Sequence, residues 1–185
     1  FITGGDQMRL VSILGGTDFS AKLRRMARET DIVIAGTSAG AAGMSTSMIV
    51  RGEALSHPRK DSVRLSPGLG FLKNIIIDQH FTERGRISRL ITAVSYNPYN
   101  LGIGIDENPA IILDPDGVME VFGQGSVTIV DGSDISYNEI AEVEEHDAFS
   151  VCGVKLHILR DGLVYQYLER HPMQPTEEFL LPDLG

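Results

Sequence analysis

The 185-residue chain contains no tryptophan and a single cysteine. Cys152 has no partner for an internal disulfide, so nothing in the sequence calls for an oxidising compartment, and a reducing, cytoplasmic setting is the expectation. No stretch approaches the roughly 18 uninterrupted apolar residues that a membrane helix needs. Basic residues are also few. Sixteen Lys and Arg stand against 25 Asp and Glu, and the resulting net charge of −9 repels nucleic acid and anionic membrane surfaces. Neither is expected as a partner. The sequence carries no internal repeat, low-complexity tract or charge block that would mark a linker.

What remains is 42% hydrophobic and 22% charged, enough apolar material for one buried core. Glycines fall in pairs at segment joints: Gly4-Gly5, Gly15-Gly16, Gly36 with Gly40, and Gly102 with Gly104. The first two thirds alternates short β-branched runs with helical patterns, which predicts βα units and an α/β fold with a mostly parallel sheet flanked by helices. Asp31-Ile32-Val33-Ile34-Ala35 and Ile75-Ile76-Ile77 are expected as central strands. A helix is expected from Asp18 to Glu29, capped by Thr17 or Asp18, and another begins near Ser38. Arg51 to Gly70, with Pro58 and Pro67, reads as a long surface loop. From Leu101 onward the pattern is strand-rich, with antiparallel strands expected at Leu101 to Ile105, Ala110 to Leu113, Val118 to Phe122, Val127 to Val130, Val154 to Leu159 and Leu163 to Tyr167.

Gly36-Thr37-Ser38-Ala39-Gly40 follows an apolar run and precedes small residues, the strand, sharp turn and helix setting in which G-x-S-x-G forms a nucleophile elbow. A serine in such a turn needs small neighbours two residues either side, and the following helix aims free N–H groups at developing negative charge. Ser38 is therefore the candidate nucleophile and the Ala39 N–H the candidate oxyanion donor. Among His57, His80, His146, His157 and His171, only His80 ends a predicted strand at the edge where open α/β sheets place their sites. Asp106 and Glu107 end another strand and supply the candidate orienting carboxylate, with Glu107 preferred. Strand alternation puts Asp78 on the same side as His80, which makes it a rival. The order serine, histidine, acid differs from the serine, acid, histidine order of α/β-hydrolases.

A helix capped by Thr82 and running from Glu83 to about Val94 is expected next. It would place Arg84 and Arg86 near its N-terminus, where the dipole disfavours each cation by about 0.3–1 kcal/mol. Three arginines, Arg84, Arg86 and Arg89, directly after the candidate base fit recognition of substrate carboxylates. Pairing with local acids such as Glu83 is the alternative.

Taken in order, Gly4-Gly5-Asp6-Gln7, the Gly36 to Ala41 block, Asp78-Gln79-His80-Phe81 with Arg84, Arg86 and Arg89-Leu90, and Gly102-Ile103-Gly104-Ile105-Asp106-Glu107 closely resemble the cyanophycinases, dipeptidase E-like serine peptidases. The resemblance spans residues 4 to 107. It implies a fold like that of class I glutamine amidotransferases, Ser38 as nucleophile, His80 as base and Glu107 completing a triad. It also implies substrate contacts from Gln7, Asp78, Gln79, Arg84, Arg86 and Arg89, a homodimer, and no metal or organic cofactor. The implied substrate is cyanophycin, an arginine-substituted poly-aspartate, released as β-aspartyl-arginine dipeptides. The family carries further residues before the Gly4-Gly5 motif, including the first strands of its sheet. Phe1-Ile2-Thr3-Gly4-Gly5 itself reads as a strand end entering a turn, so the expectation is one catalytic domain over 1–185 that lacks its N-terminal portion. A related peptidase acting on other short Asp-containing peptides, and a non-catalytic module that binds carboxylates, stay open.

Overall fold

The computed structural model describes residues 1–173. Helix α1 (Gln7–Leu14), which has no counterpart among the expected elements, is capped by Asp6, whose side chain accepts the Arg9 N–H at 2.8 Å. Helix α2 (Asp18–Glu29) lies where expected and is capped by Thr17, which accepts the Ser20 N–H at 3.2 Å. The short α3 (Ala39–Ala42) follows Ser38. The chain then forms β1 (Ser47–Gly52), β2 (Val63–Pro67), β3 (Ile75–Gln79), α4 (Ile87–Tyr96), β4 (Leu101–Ile105), β5 (Ala110–Leu113), β6 (Val118–Phe122) and β7 (Val127–Asp131). It ends with β8 (Tyr137–Asn138), β9 (Val151–Cys152), β10 (Lys155–Leu159), β11 (Val164–Gln166) and β12 (His171–Met173).

The central sheet has the order β10-β7-β4-β3, and a second four-stranded sheet the order β12-β11-β6-β5. The molecule is α/β, with mixed and antiparallel sheets. Among the described residues the β3/β4 ladder is parallel and the other seven ladders are antiparallel. Parallel pairing is thus confined to the crossover through α4 and to isolated bridges, Ile2 with Gly36 and Ser45 with Leu72. A helix between two strands predicts a parallel pair locally, but the pattern of one strand does not reveal which remote strand will lie beside it.

The segment 31–35 makes the same point. It has no regular secondary structure and joins no ladder among the described residues; Ile2 donates to the Ala35 carbonyl at 2.8 Å and Thr37 to the Ile2 carbonyl at 3.0 Å. Val33 is 85% exposed, not the centre of a covered sheet. The expected loop at 51–70 is also corrected, since β1 and β2 form an antiparallel pair that includes Arg51 opposite Arg64. Exposed arginines at these positions and a bulge after Ile49 break the period that would have announced the strands.

Two apolar layers hold the sheet. On one face Ile76 and Val130 pack with Leu90, Ala93 and Val94 of α4 and with Phe81. On the other, Ile75, Ile77, Leu101, Ile103 and Ile129 meet Met119, Val121 and Tyr165 of the second sheet. Burial of each such large side chain stabilises by about 1.5–3 kcal/mol. The Gly102/Gly104 pair supplies a flat floor for the helical layer. A Cβ at Gly102 would lie 2.9 Å from Val94, and one at Gly104 2.5 Å from the Phe81 ring.

The helix expected from Glu83 starts four residues later. Residues 81–85 form a turn in which Gly85 (φ 58°) donates to the Thr82 carbonyl, Arg86 donates to the Phe81 carbonyl, and Arg86 becomes the N-cap residue of α4. Only a residue tolerant of the left-handed region closes such a turn cheaply, and Gly85 is that residue. The strands expected from Leu101 onward fall near their places, whereas β8, β9 and β12 have no expected counterpart and β3, expected as a central strand, ends its sheet among the described residues. The turn 160–162 carries the chain from one sheet to the other, because β10 pairs with β7 whereas β11 pairs with β6 and β12. Among the described residues no helix is long and apolar enough to cross a membrane.

Candidate active site

Ser38 sits at φ 52°, ψ −119° between segment 31–35 and α3. This backbone costs a non-glycine residue on the order of 1–3 kcal/mol and persists only where the surroundings enforce it. They do so through close packing. A Cβ built on Gly36 would lie 2.7 Å from the Gly40 carbonyl carbon, and one on Gly40 would lie 2.2 Å from the Ile2 carbonyl oxygen. The two glycines of G-x-S-x-G are therefore fixed by contact between the segments they join. Gly4 adds a requirement from another part of the chain, since a Cβ there would approach the Ser38 Cβ to 3.2 Å and its Oγ to 3.7 Å. Only a bare backbone leaves the hydroxyl this open on that side.

The hydroxyl faces His80. Ser38 Oγ lies 3.0 Å from His80 Nε2, and His80 Nδ1 lies 2.9 Å from Glu107 Oε1. An ionised carboxylate only accepts, so the Nδ1 proton belongs to the imidazole and Nε2 is left to accept from the serine. The Glu107 side chain is 49% exposed and the His80 ring 28% exposed, so the line of three groups opens to solvent at its carboxylate end. His80 itself has φ 49°, which ends the alternation of β3 and turns its ring away from the side occupied by Asp78. Ala39 opens α3, where the first N–H groups have no intrahelical partner and lie next to the Ser38 hydroxyl in sequence.

Asp78 lies elsewhere. Buried at 1% exposure, it receives Arg89 Nε at 2.6 Å on one oxygen and Arg89 Nη2 at 2.5 Å on the other, with Arg86 Nη1 at 3.3 Å. Arg86 also donates to the Gln79 backbone and side-chain carbonyls, and Arg89 to the Gly52 carbonyl at 3.0 Å. Burial depresses the Arg86 pKa, partly offset by Asp78 and deepened by the like charges of Arg89 and Arg84. Arg84 is exposed in the turn before α4, and among the described residues its side chain has no ion pair or hydrogen bond. Gln7, at the start of α1, donates to the Ile49 carbonyl at 3.0 Å. Most of the site residues named from the sequence thus separate into an open line, Ser38 to His80 to Glu107, and a buried knot around Asp78, while Gln7 and Arg84 belong to neither.

The other histidines are held elsewhere. His57 bonds Ser56, His146 pairs with Asp61 at 2.8 Å, His171 pairs with Glu169 at 3.1 Å, and His157 packs its ring on Tyr165. Asp106 does not orient His80. Its carboxylate accepts the Thr82 N–H at 3.0 Å and the Ser126 N–H and Oγ–H at 2.9 and 2.8 Å. Burial alone would raise the Asp106 pKa, but these bonds outweigh it and hold it below the usual carboxylate value. Glu83 accepts the Glu107 N–H at 3.0 Å rather than bridging to an arginine. Sequence reasoning named both acids at this strand end and preferred Glu107; the structure puts Glu107 against the imidazole and Asp106 against the turns, a role the sequence did not announce.

The fold and site define an α/β protein in which a serine hydroxyl, an imidazole and a carboxylate are hydrogen-bonded in line beside one end of a mixed sheet. Residues 1–121 match peptidase family S51, and the chain belongs to that family. Cyanophycinase of Synechococcus elongatus is 42% identical over 185 residues, 100% of this chain and 56% of that protein. Cyanophycinase of Geminocystis herdmanii is 40% identical over 173 residues, 94% of this chain and 64% of that protein. A Nostoc cyanophycinase is 40% identical over 170 residues, 92% of this chain and 57% of that protein. The chain therefore spans little more than half the length of these relatives.

Proposed function

We propose that this chain carries the catalytic residues of a serine-type peptidase that hydrolyses cyanophycin to β-aspartyl-arginine dipeptides. The observation that carries the reading is the 3.0 Å and 2.9 Å relay from Ser38 through His80 to Glu107. Ser38 Oγ attacks the scissile amide carbonyl while His80 Nε2 takes its proton, and Glu107 stabilises the imidazolium that forms. The Ala39 N–H donates to the developing oxyanion. His80 then returns the proton to the departing amine, and water releases the acyl group by the same steps in reverse.

The substrate class follows from the relatives' name together with the arginines. The exposed Arg84 is suited to bind a substrate carboxylate directly. Arg86 and Arg89, whose guanidinium groups already hold Asp78, contribute by the donors that remain and by fixing Gln79 beside His80. Asp78, Gln79 and Gln7 complete the proposed binding set. A homodimer and a relation to class I glutamine amidotransferases belong to the same reading. The parallel β3/β4 pair joined through α4 supports the latter.

The experiment is fluorophosphonate labelling followed by peptide mapping, with turnover measured on cyanophycin and on casein. Label on Ser38 and dipeptide release from cyanophycin alone are expected. An unlabelled Ser38 in folded protein that still binds acidic peptides would make this a carboxylate-binding module, and sedimentation equilibrium checks the dimer.

A further inference from the structure

Two turns carry the imidazole and carboxylate of the proposed site, and each holds the other by a side-chain to backbone bond. Residues 80–83 follow β3; residues 106–107 follow the parallel β4. Asp106, from the second turn, accepts the Thr82 N–H of the first, and Glu83, from the first turn, accepts the Glu107 N–H of the second, both at 3.0 Å. The backbone reinforces the pairing once, where Phe81 donates to the Ile105 carbonyl at 3.2 Å. The other Asp106 oxygen takes both donors of Ser126, which anchors the arrangement to the turn before β7.

His80 needs such help. Its φ of 49° removes it from the regular ladder, so β3/β4 pairing does not fix its ring. Glu107 is half exposed and lies past the end of β4, which would otherwise leave its backbone free to shift. Neither Asp106 nor Glu83 lies within hydrogen-bond distance of Ser38 or His80 side chains, so any influence they have on the relay passes through the backbone.

We propose that Asp106 and Glu83 are positioning residues that form a reciprocal clamp, setting the His80 to Glu107 distance on which the relay depends. The proposal rests on the reading of Ser38, His80 and Glu107 as the reacting groups. The two carboxylates differ in what a substitution removes. Asp106 serves three donors with two oxygens, so Asp106→Asn leaves an amide NH2 facing a backbone N–H and must displace one turn. Glu83 serves one donor, so Glu83→Gln keeps an acceptor and Glu83→Ala does not.

The test measures kcat, KM and the low-field proton resonance of His80 Nδ1 in the purified protein, with folding checked by circular dichroism. Asp106→Asn is expected to lower kcat about 10- to 100-fold, in line with displacement of a reacting group by a fraction of an ångström to 1 Å. KM should change less than about threefold, and the resonance should broaden or disappear, as is also expected for Glu107→Gln. Glu83→Ala should show the same signature more weakly, and Glu83→Gln should recover the lost kcat. Should Asp106→Asn fail to fold, Ser126→Ala, which removes one of its three donors, carries the test with the same split between kcat and KM.

Folded Asp106→Asn with wild-type kcat and an unchanged resonance overturns the clamp, as does an equal loss in Glu83→Gln and Glu83→Ala. The resonance is read without substrate, so the clamp can be judged even if Ser38→Ala retains turnover and the catalytic reading falls.

Discussion

Asp78 is buried and held by two arginines, whereas His80, two residues further along the same strand end, leaves its ring 28% exposed between an uncharged hydroxyl and a half-exposed carboxylate. Strand alternation alone would have put the two side by side. The left-handed backbone at His80 separates them, so one strand end serves two polar groups of opposite character. Behind it, the buried Asp78 carboxylate is shared by Arg86 and Arg89, which also donate to the Gln79 and Gly52 carbonyls. In front, Ser38, His80 and Glu107 form a line with capacity left over at the hydroxyl, the part that a ligand would meet. A paired buried cluster contributes to integrity and is costly to break; an open relay contributes little to stability and can be changed without unfolding the chain.

Substitutions in the two clusters should therefore separate activity from stability. Ser38→Ala is expected to reduce cyanophycin turnover on the order of 10⁶-fold with little change in Tm, since alanine keeps the Cβ around which the turn is packed. Turnover and thermal melting on the same preparation check this, and retained turnover removes Ser38 from the reaction. Glu107→Gln should lower kcat by about 10⁴-fold with little change in Tm, because the amide no longer favours the tautomer that leaves Nε2 free to accept.

The buried cluster should behave in the opposite way. Arg89→Ala removes the two short donors to a buried carboxylate, leaves only Arg86 at 3.3 Å, and is expected to cost about 3 kcal/mol of folding stability, whereas the exposed Arg84→Ala should leave the urea midpoint unchanged. Arg84→Ala should instead lower kcat/KM by an amount equivalent to about 1–3 kcal/mol, as for loss of a charge-assisted bond to substrate. Equal melting of the two variants would erase the distinction between the clusters.

The smallest effect concerns acid. Asp131 is fully buried, and although burial raises its pKa, hydrogen bonds from Ser133 and Arg170 hold it below the ordinary carboxylate value. The unfolded chain binds the proton more readily, so this carboxylate contributes stability that is complete above the unfolded value of about 3.9 and is lost as pH falls through the lower folded value. Asp131→Asn should therefore melt below wild type at neutral pH, and the gap should narrow below about pH 4. Melting curves collected across that range decide it, with a constant gap counting against the carboxylate's charge as the cause.

Much of the site was legible from local pattern. Helix α2 was marked by Thr17 and Asp18, the tight turn at Ser38 by glycines two residues either side, and the candidate base and acid by their places at the ends of apolar strands. These features depend on neighbours close in sequence, through steric fit at a turn, capping, and the alternation of side chains along a strand. The same locality limits them. The left-handed conformation of His80, a non-glycine residue, carries no sequence signal, and the rival acid Asp78 is instead held by Arg86 and Arg89. The helix expected at Glu83 was displaced to Ile87 by hydrogen bonds between residues 81 and 86 and by the claim of Asp106, 24 residues away, on the Thr82 N–H.

The amino-acid sequence by itself thus marked helix α2, most strands from Ile75 onward, and which residue types reach the end of the sheet. Only the tertiary structure decided that Asp106 holds the turns through Thr82 and Ser126, that Arg86 and Arg89 turn inward while Arg84 remains exposed, and that most ladders run antiparallel. Each of these is a choice between partners far apart in the chain. Such choices are set by burial, charge pairing and the direction of backbone donors after the layers have packed, and a periodicity of two or 3.6 residues carries no record of them.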